Sequence, residues 1–198
     1  MARWGQIVDN RRMIRWAIVL IFAGLGVAEA GMAGPALGVF SAIATQHYGA
    51  TSQVLEIRGE RGAPQPTEWV ARLSDPGARG GVREITLEGG KITSERTPLY
   101  LSSEVAGLLP IARSKVTVDS DEVFRIANRE AVKNEVGFHW IEYVLRTDPS
   151  DGAPVWNVRL FDNMGALMGT LKISAQGGTV LRGFVPTNVV RTSAGREE

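Results

Sequence analysis

The sequence predicts an α+β protein with two tandem repeats, each of one helix and three antiparallel strands (αβββ), after an N-terminal signal or anchor helix. Two observations lead to this prediction. Residues 156–180 have the pattern of an antiparallel hairpin, and the earlier residues 69–92 match them. A helix-like and then a strand-like segment precede each stretch. This order indicates a duplicated unit, and the alternative is chance similarity between two amphipathic hairpins.

The predicted organisation has five parts. They are a signal peptide or membrane anchor (1–30), a first αβββ repeat (31–97), a connector (98–118), a second αβββ repeat (119–186) and a disordered tail (187–198).

The two matching stretches share residues with separable physical roles. Apolar and polar side chains alternate in both, which is typical of a strand with one buried face. The shared tryptophan and leucine are therefore expected to face a core and the shared arginine to point away from it. These residues are Trp69, Leu73 and Arg72 in the first stretch, and Trp156, Leu160 and Arg159 in the second. An aspartate follows in both, and a glycine pair comes later, as turns require.

A helix is predicted at the start of each repeat. Residues 35–48 carry apolar side chains at helical spacing, begin with a proline and are followed by a glycine. Residues 119–121 offer the N-cap of a second helix that extends to Val136. The strands that follow are predicted at residues 54–57 and, as the longer of the two, at residues 138–146.

The first 30 residues resemble a targeting segment. Four arginines precede an apolar run that ends at Ala28. Its length of about 13 residues suits the core of a signal peptide and is below a full membrane span of about 20. Ala28, Glu29 and Ala30 form a small-x-small site, so we expect cleavage before Gly31. Retention as an anchor is the alternative. The arginines place the rest of the chain outside the cytoplasm in either case, so we expect a periplasmic or secreted protein, or an inner-membrane anchored one.

The composition argues against several classes of function. A net charge of +1 gives no strong field that would attract nucleic acid. Cysteine is absent, which excludes disulfides and thiolate chemistry. The two histidines, His47 and His139, belong to no ligand cluster. Because no nucleophile, phosphate-loop or metal motif is present either, we expect a protein that is not an enzyme and needs no cofactor or metal.

The helix and hairpin motifs of the second repeat also occur in a known family. A helix with spaced alanines, a W-x-V-x-L-x-D-x-x-G hairpin and a closing I-x-A-x-x-G-x-V strand lie at residues 123–131, 156–165 and 173–180. This arrangement resembles the PepSY domain and the PepSY-like, beta-lactamase-inhibitor-like modules of exported bacterial proteins. The first repeat matches less well, through residues 69–75 and 85–92. The resemblance implies an exported, non-enzymatic module that binds, inhibits or regulates another protein, and it assigns no binding residue.

Residues 138–146 are apolar at both sets of alternate positions, which indicates that both faces of this strand are covered. Tryptophan and arginine are frequent anchors of protein interfaces. We therefore take Phe138, Trp140, Arg159 and Phe161 as candidate partner-binding residues. The alternative is that they only pack between the repeats or on the connector.

These observations favour an exported protein-binding, regulatory or inhibitory module whose partner is another exported protein. The alternative is a periplasmic carrier of a small molecule or lipid, with Trp69 and Trp156 lining an apolar pocket. An enzyme with a nonstandard site is a third hypothesis.

Overall fold

The computed structural model describes residues 35–45, 52–98, 105 and 107–187. Their elements are, in chain order, α1 (Leu37–Thr45), β1 (Gln53–Gly62), β2 (Glu68–Ser74), β3 (Val82–Glu88), β4 (Lys91–Arg96), α2 (Ser120–Lys133), β5 (Trp140–Thr147), β6 (Pro154–Phe161), β7 (Leu167–Ser174) and β8 (Val180–Pro186). The strands form one sheet in the order β4-β3-β2-β1-β5-β6-β7-β8, and every neighbouring pair is antiparallel.

The predicted fold class, two tandem αβββ repeats, is wrong. Within the described part of the chain, the eight strands build a single continuous antiparallel sheet, accompanied by two helices. The strands β1 and β5 hydrogen-bond to each other at its centre, where Glu56 pairs with Arg146 and Arg58 with Val144. Strands far apart in sequence thus join the two halves of the chain in one sheet.

The prediction also missed β4 and β8, for a physical reason. These strands lie at the two edges of the sheet, and most of their residues are exposed. An edge strand without a buried face has no apolar alternation by which sequence can reveal it. The predicted closing strand at 173–180 is instead the end of β7, a turn and the first residue of β8. The prediction that the strand at 138–146 is longer than that at 54–57 is also wrong, because β1 has 10 residues and β5 has 8.

Both helices pack on the same core. Buried residues of α1, including Val39, and of α2, including Val123 and Ile126, belong to one hydrophobic cluster with the inward residues of the sheet. The predicted N-cap of α2 is confirmed, because the Asp119 carboxylate accepts a hydrogen bond from the backbone N–H of Ser120. The same carboxylate accepts the backbone N–H of Leu37 at 3.1 Å. One side chain therefore fixes the start of α2 and ties it to α1.

The centre of the core is a row of three aromatic side chains from β2, β5 and β6. Tyr143 lies between Trp69 and Trp156, with ring centroids 5.7 Å and 6.3 Å away. All three are fully buried. The predicted inward orientation of the shared tryptophans and leucines is thus confirmed, since Leu73 and Leu160 are also 0% exposed. Burial raises the pKa of the Tyr143 hydroxyl, which donates a hydrogen bond to the carbonyl of Pro64.

The predicted signal or anchor segment at 1–30 lies outside the described residues, as does the tail after residue 187. Among the helices that the structure does describe, none has the length and apolar character that crossing a membrane requires.

Candidate functional site

The face of the sheet opposite α1 and α2 carries many charged side chains. Successive side chains of a strand point to opposite faces, so the residues between the buried tryptophans and leucines come together on this second face. Eight of them, from six adjacent strands, make a network that we call the charged face: Glu56, Arg58, Arg72, Glu84, Arg96, Glu142, Arg146 and Arg159.

Glu56 is the centre of the charged face. It is only 2% exposed, and a buried carboxylate needs partners to offset its lost hydration. Arg72 Nη1 lies 2.8 Å from one carboxylate oxygen, and Arg146 Nη2 lies 2.9 Å from the other. Arg58 Nε is 3.8 Å away, which is an ion pair but too long for a hydrogen bond. Glu56 therefore organises three guanidinium groups from three strands.

Two further glutamates extend the network to either side. Glu84 receives Arg72 Nε at 3.2 Å and Arg96 Nε at 2.6 Å. On the other side, Glu142 receives Arg159 Nη1 at 2.9 Å and lies 3.7 Å from Arg58 Nη1. The network thus holds five guanidinium groups and three carboxylates, so it carries an excess of positive charge.

Two of its arginines are incompletely satisfied. The Nε atoms of Arg58 and Arg146 are buried and have no hydrogen-bond partner among the described residues. An unsatisfied buried donor costs about 1–3 kcal/mol, and groups of this kind are rare in folded proteins. The central arginines therefore keep hydrogen-bonding capacity that the described part of the chain does not use.

Aromatic side chains end the charged face at the β5–β6 hairpin. The rings of Trp140 and Phe161, which face each other across the two strands, stack with centroids 3.9 Å apart and an angle of 11° between their planes. The guanidinium of Arg159 lies 5.2 Å from the Phe161 centroid, within range of a cation–π interaction. We call Trp140, Phe161 and Arg159 the aromatic corner.

A surface cavity of about 420 Å³ adjoins the aromatic corner. Its lining includes Arg61, His139, Trp140, Asn163 and Met164, and we call it the corner pocket. The β6–β7 turn supplies Met164. In this turn the Asp162 carboxylate accepts the backbone N–H groups of Met164 and Ala166 at 2.9 and 2.8 Å. Although its backbone is fixed in this way, Met164 is 85% exposed.

The structure brings together three of the four predicted partner-binding residues. Trp140, Arg159 and Phe161 form the aromatic corner, whereas Phe138 packs edge-on against Phe124 of α2, with centroids 5.9 Å apart. Phe138 therefore lies with the helices. A role of these residues in binding a partner stays a prediction.

Sequence reasoning missed Glu142, Arg58, Arg61 and Met164. A signal for the first two exists, since charged residues lie at alternate positions of β1 and four residues apart, on one face, in β5. Arg61 and Met164 lie in a strand end and a turn whose proximity no local pattern reveals.

The residues proposed for a carrier pocket have another role. Trp156 is 0% exposed, and its indole N–H donates to the carbonyl of Val118 at 2.9 Å. Trp69 borders a cavity of about 70 Å³ beside α1, whereas ligand pockets usually measure about 300–1,000 Å³. Both tryptophans thus serve the core.

One further ion pair lies where β5 ends. Lys172 of β7 donates to Asp148, which also accepts the backbone N–H and the hydroxyl of Ser150. These interactions, the Lys172 hydrogen bond foremost, lower the pKa of Asp148 from 3.8 to about 2.

Comparisons with known proteins place these features in no established family. No family model matches the chain, and no curated protein matches it. The PepSY resemblance thus has no support from a family model. The chain is similar to the solved structure of a "putative lipoprotein" from Clostridium difficile 630, with 16% identity and a TM-score of 0.43, over 66% of this chain and 80% of the other.

Proposed function

We propose that this protein is an exported, non-enzymatic module that binds another protein, and that it does so with the aromatic corner and the adjoining charged face. The proposal of export rests on the arginines, the apolar run and the small-x-small site of the first 30 residues. The PepSY resemblance of residues 123–180 agrees with a regulatory or inhibitory role for such a module.

The observation that carries the proposal is the aromatic corner. Trp140 and Phe161 stack on the sheet face that the helices leave free, and Arg159 lies over Phe161 with 49% of its side chain exposed. Tryptophan and arginine dominate the binding energy of many protein interfaces. Because Glu142 and Phe161 already hold Arg159, little side-chain entropy remains to be lost on binding.

The test is affinity capture with the full chain from a cell-envelope extract of its source, followed by titration of the captured protein after purification. We expect Trp140→Ala and Arg159→Ala each to weaken binding at least about tenfold, as interface anchors do. Arg129→Ala is the matched control, because Arg129 is an exposed arginine of α2 and belongs to the helical side.

Thermal unfolding of each variant separates a lost contact from a lost fold. If wild type, Trp140→Ala and Arg159→Ala capture the same proteins with the same affinity, the aromatic corner is not the binding surface. If no protein is captured in a saturable manner, the proposal of a protein-binding module fails.

A further inference from the structure

We infer that the corner pocket receives an acidic segment of the partner, in which an apolar side chain enters beside at least one carboxylate. This inference rests on the proposed function, because it assumes that the partner is a protein. It adds the chemistry by which that partner is recognised and two residues, Arg61 and Met164, that the sequence did not single out.

The charge of the pocket favours an acidic group. Its lining residues include Arg61, His139, Asn163 and the large apolar residues Trp140 and Met164, and none of them carries a carboxylate. Glu142, which lies two residues after Trp140, is already bound by Arg159 at 2.9 Å. An incoming carboxylate would therefore meet the cationic side chain of Arg61. The Asp162 carboxylate beside the lining is already engaged by two backbone N–H groups. Charge complementarity of this kind selects partners at protein interfaces.

The apolar part of the lining favours a protein side chain beside that carboxylate. Met164 is held exposed by a turn that Asp162 fixes through two backbone hydrogen bonds, and it lines the same cavity as Trp140. Methionine adapts its shape to different apolar groups, and both residue types are enriched at interfaces. A volume of about 420 Å³ has room for one large side chain.

Backbone geometry at Arg61 also points to this pocket. The pairing of β1 with β5 is interrupted between Gly59 and Gly62, and Arg61 there has a φ of 54°. A bulky side chain rarely adopts this left-handed conformation, and such strain concentrates at functional sites. The bulge thus places a cation where the regular strand would not.

A flat anionic membrane is the competing occupant for a surface with arginine, tryptophan and methionine. The geometry favours a protein segment, because the tryptophan lines a concavity and is itself partly buried. A bilayer surface would instead favour apolar side chains that project together from one plane.

The experiment is selection of random displayed peptides of about twelve residues on the immobilised full chain, a length that fills one docking groove. We expect selected peptides to be enriched in aspartate or glutamate next to one large apolar residue. A synthetic peptide of the selected consensus should lose at least about tenfold in affinity with Arg61→Asn, since a charge-assisted contact is lost, and also with Met164→Ser.

The variants are chosen to keep the fold. Asparagine tolerates positive φ better than most residues, and Met164 is 85% exposed. Met164→Leu should retain binding, and Arg129→Gln should too, because it removes one positive charge from α2 only.

Peptides without acidic enrichment, no enrichment at all, or binding that neither Arg61→Asn nor Met164→Ser weakens would each overturn the inference. So would Met164-dependent binding to phosphatidylglycerol vesicles without peptide binding. If binding of a captured protein is weakened by the Trp140 and Arg159 variants but not by the Arg61 and Met164 variants, the proposal of protein binding is supported and the inference of an acidic segment is overturned. If it depends on none of the four, both proposals fail.

Discussion

The indole of Trp69 lies directly over Gly59 of the neighbouring strand. A Cβ atom built on Gly59 would come within 2.5 Å of a ring carbon of Trp69, which is far inside van der Waals contact. Trp69 is 1% exposed and in contact with Tyr143, so it has little freedom to move away. The glycine is thus required by packing at the centre of the sheet.

We therefore expect Gly59→Ala to lower the free energy of unfolding by about 2–3 kcal/mol, the cost of overpacking a tight core. Gly183→Ala in β8 is the control, because a Cβ there meets no atom within 4 Å. Urea denaturation measures both. Equal urea midpoints for the two variants would mean that the core around Gly59 rearranges to accommodate the added methyl group.

Removal of the central carboxylate should destabilise the charged face. In Glu56→Gln the side chains of Arg72, Arg146 and Arg58 lose their common anion. Breaking a buried ion pair costs about 3–5 kcal/mol, and the partly exposed arginines reduce this to an expected ~2 kcal/mol.

The control for Glu56→Gln is Glu60→Gln, at an exposed position of the same strand, which should stay within about 0.5 kcal/mol of wild type. Chemical denaturation compares them. A loss for Glu56→Gln no greater than for Glu60→Gln would show that the network contributes nothing to stability.

The ion pair between Asp148 and Lys172 predicts a pH dependence. The pKa of Asp148 is lowered from 3.8 to about 2 in the folded protein. A lowered carboxyl pKa stabilises the fold above the ordinary pKa, and this contribution disappears as the pH falls through the folded value. We expect ~1 kcal/mol, because Lys172 is partly exposed to water.

Asp148→Asn should therefore be less stable than wild type near neutral pH, and the gap should close between about pH 4 and about pH 2. Lys172→Met removes the cationic partner of Asp148 and should therefore weaken the same pH dependence of stability. Thermal unfolding across this range is the measurement. Curves for wild type and Asp148→Asn that stay parallel down to the lowest pH would contradict the assignment.

Asp119 joins the starts of the two helices, and its loss should affect both. Asp119→Ala removes the N-cap of α2 and the acceptor of the Leu37 backbone N–H. Loss of a cap costs about 1 kcal/mol. Hydrogen exchange should accelerate at the Leu37 amide. Glu122→Ala, in the first turn of α2, should leave Leu37 unchanged, because Glu122 pairs with Arg125 of the same helix. Unchanged exchange at Leu37 in Asp119→Ala would mean that the helices start independently.

The local alternation of apolar and polar residues was sufficient to predict which residues of the central strands face the core and which face away from it. Trp156 and Leu160 are buried while Arg159 is exposed, as their alternation predicts. The meeting of Trp140 with Phe161 is also local, because β5 and β6 are consecutive antiparallel strands. These features follow from side-chain period and short connections alone.

Pairing between distant strands left no such pattern. Glu56 lies beside Arg146 because β1 pairs with β5. The sequence around either residue contains no pattern that predicts this pairing. The same pairing brings the end of β1, with Arg61, to the aromatic corner. The charged face and the corner pocket therefore depend on a contact that single-sequence reasoning cannot supply, whereas the aromatic stack does not.

The central position of β1 also affects the order in which the sheet can form. During synthesis β1 emerges well before β5, its partner on one side. Until β5 arrives, that side is an open edge with unpaired backbone groups, ready to join another chain. Closing a seam between remote segments is slow compared with forming a hairpin. The rate of this one closure should therefore decide whether a newly made molecule reaches its native state or aggregates with its neighbours.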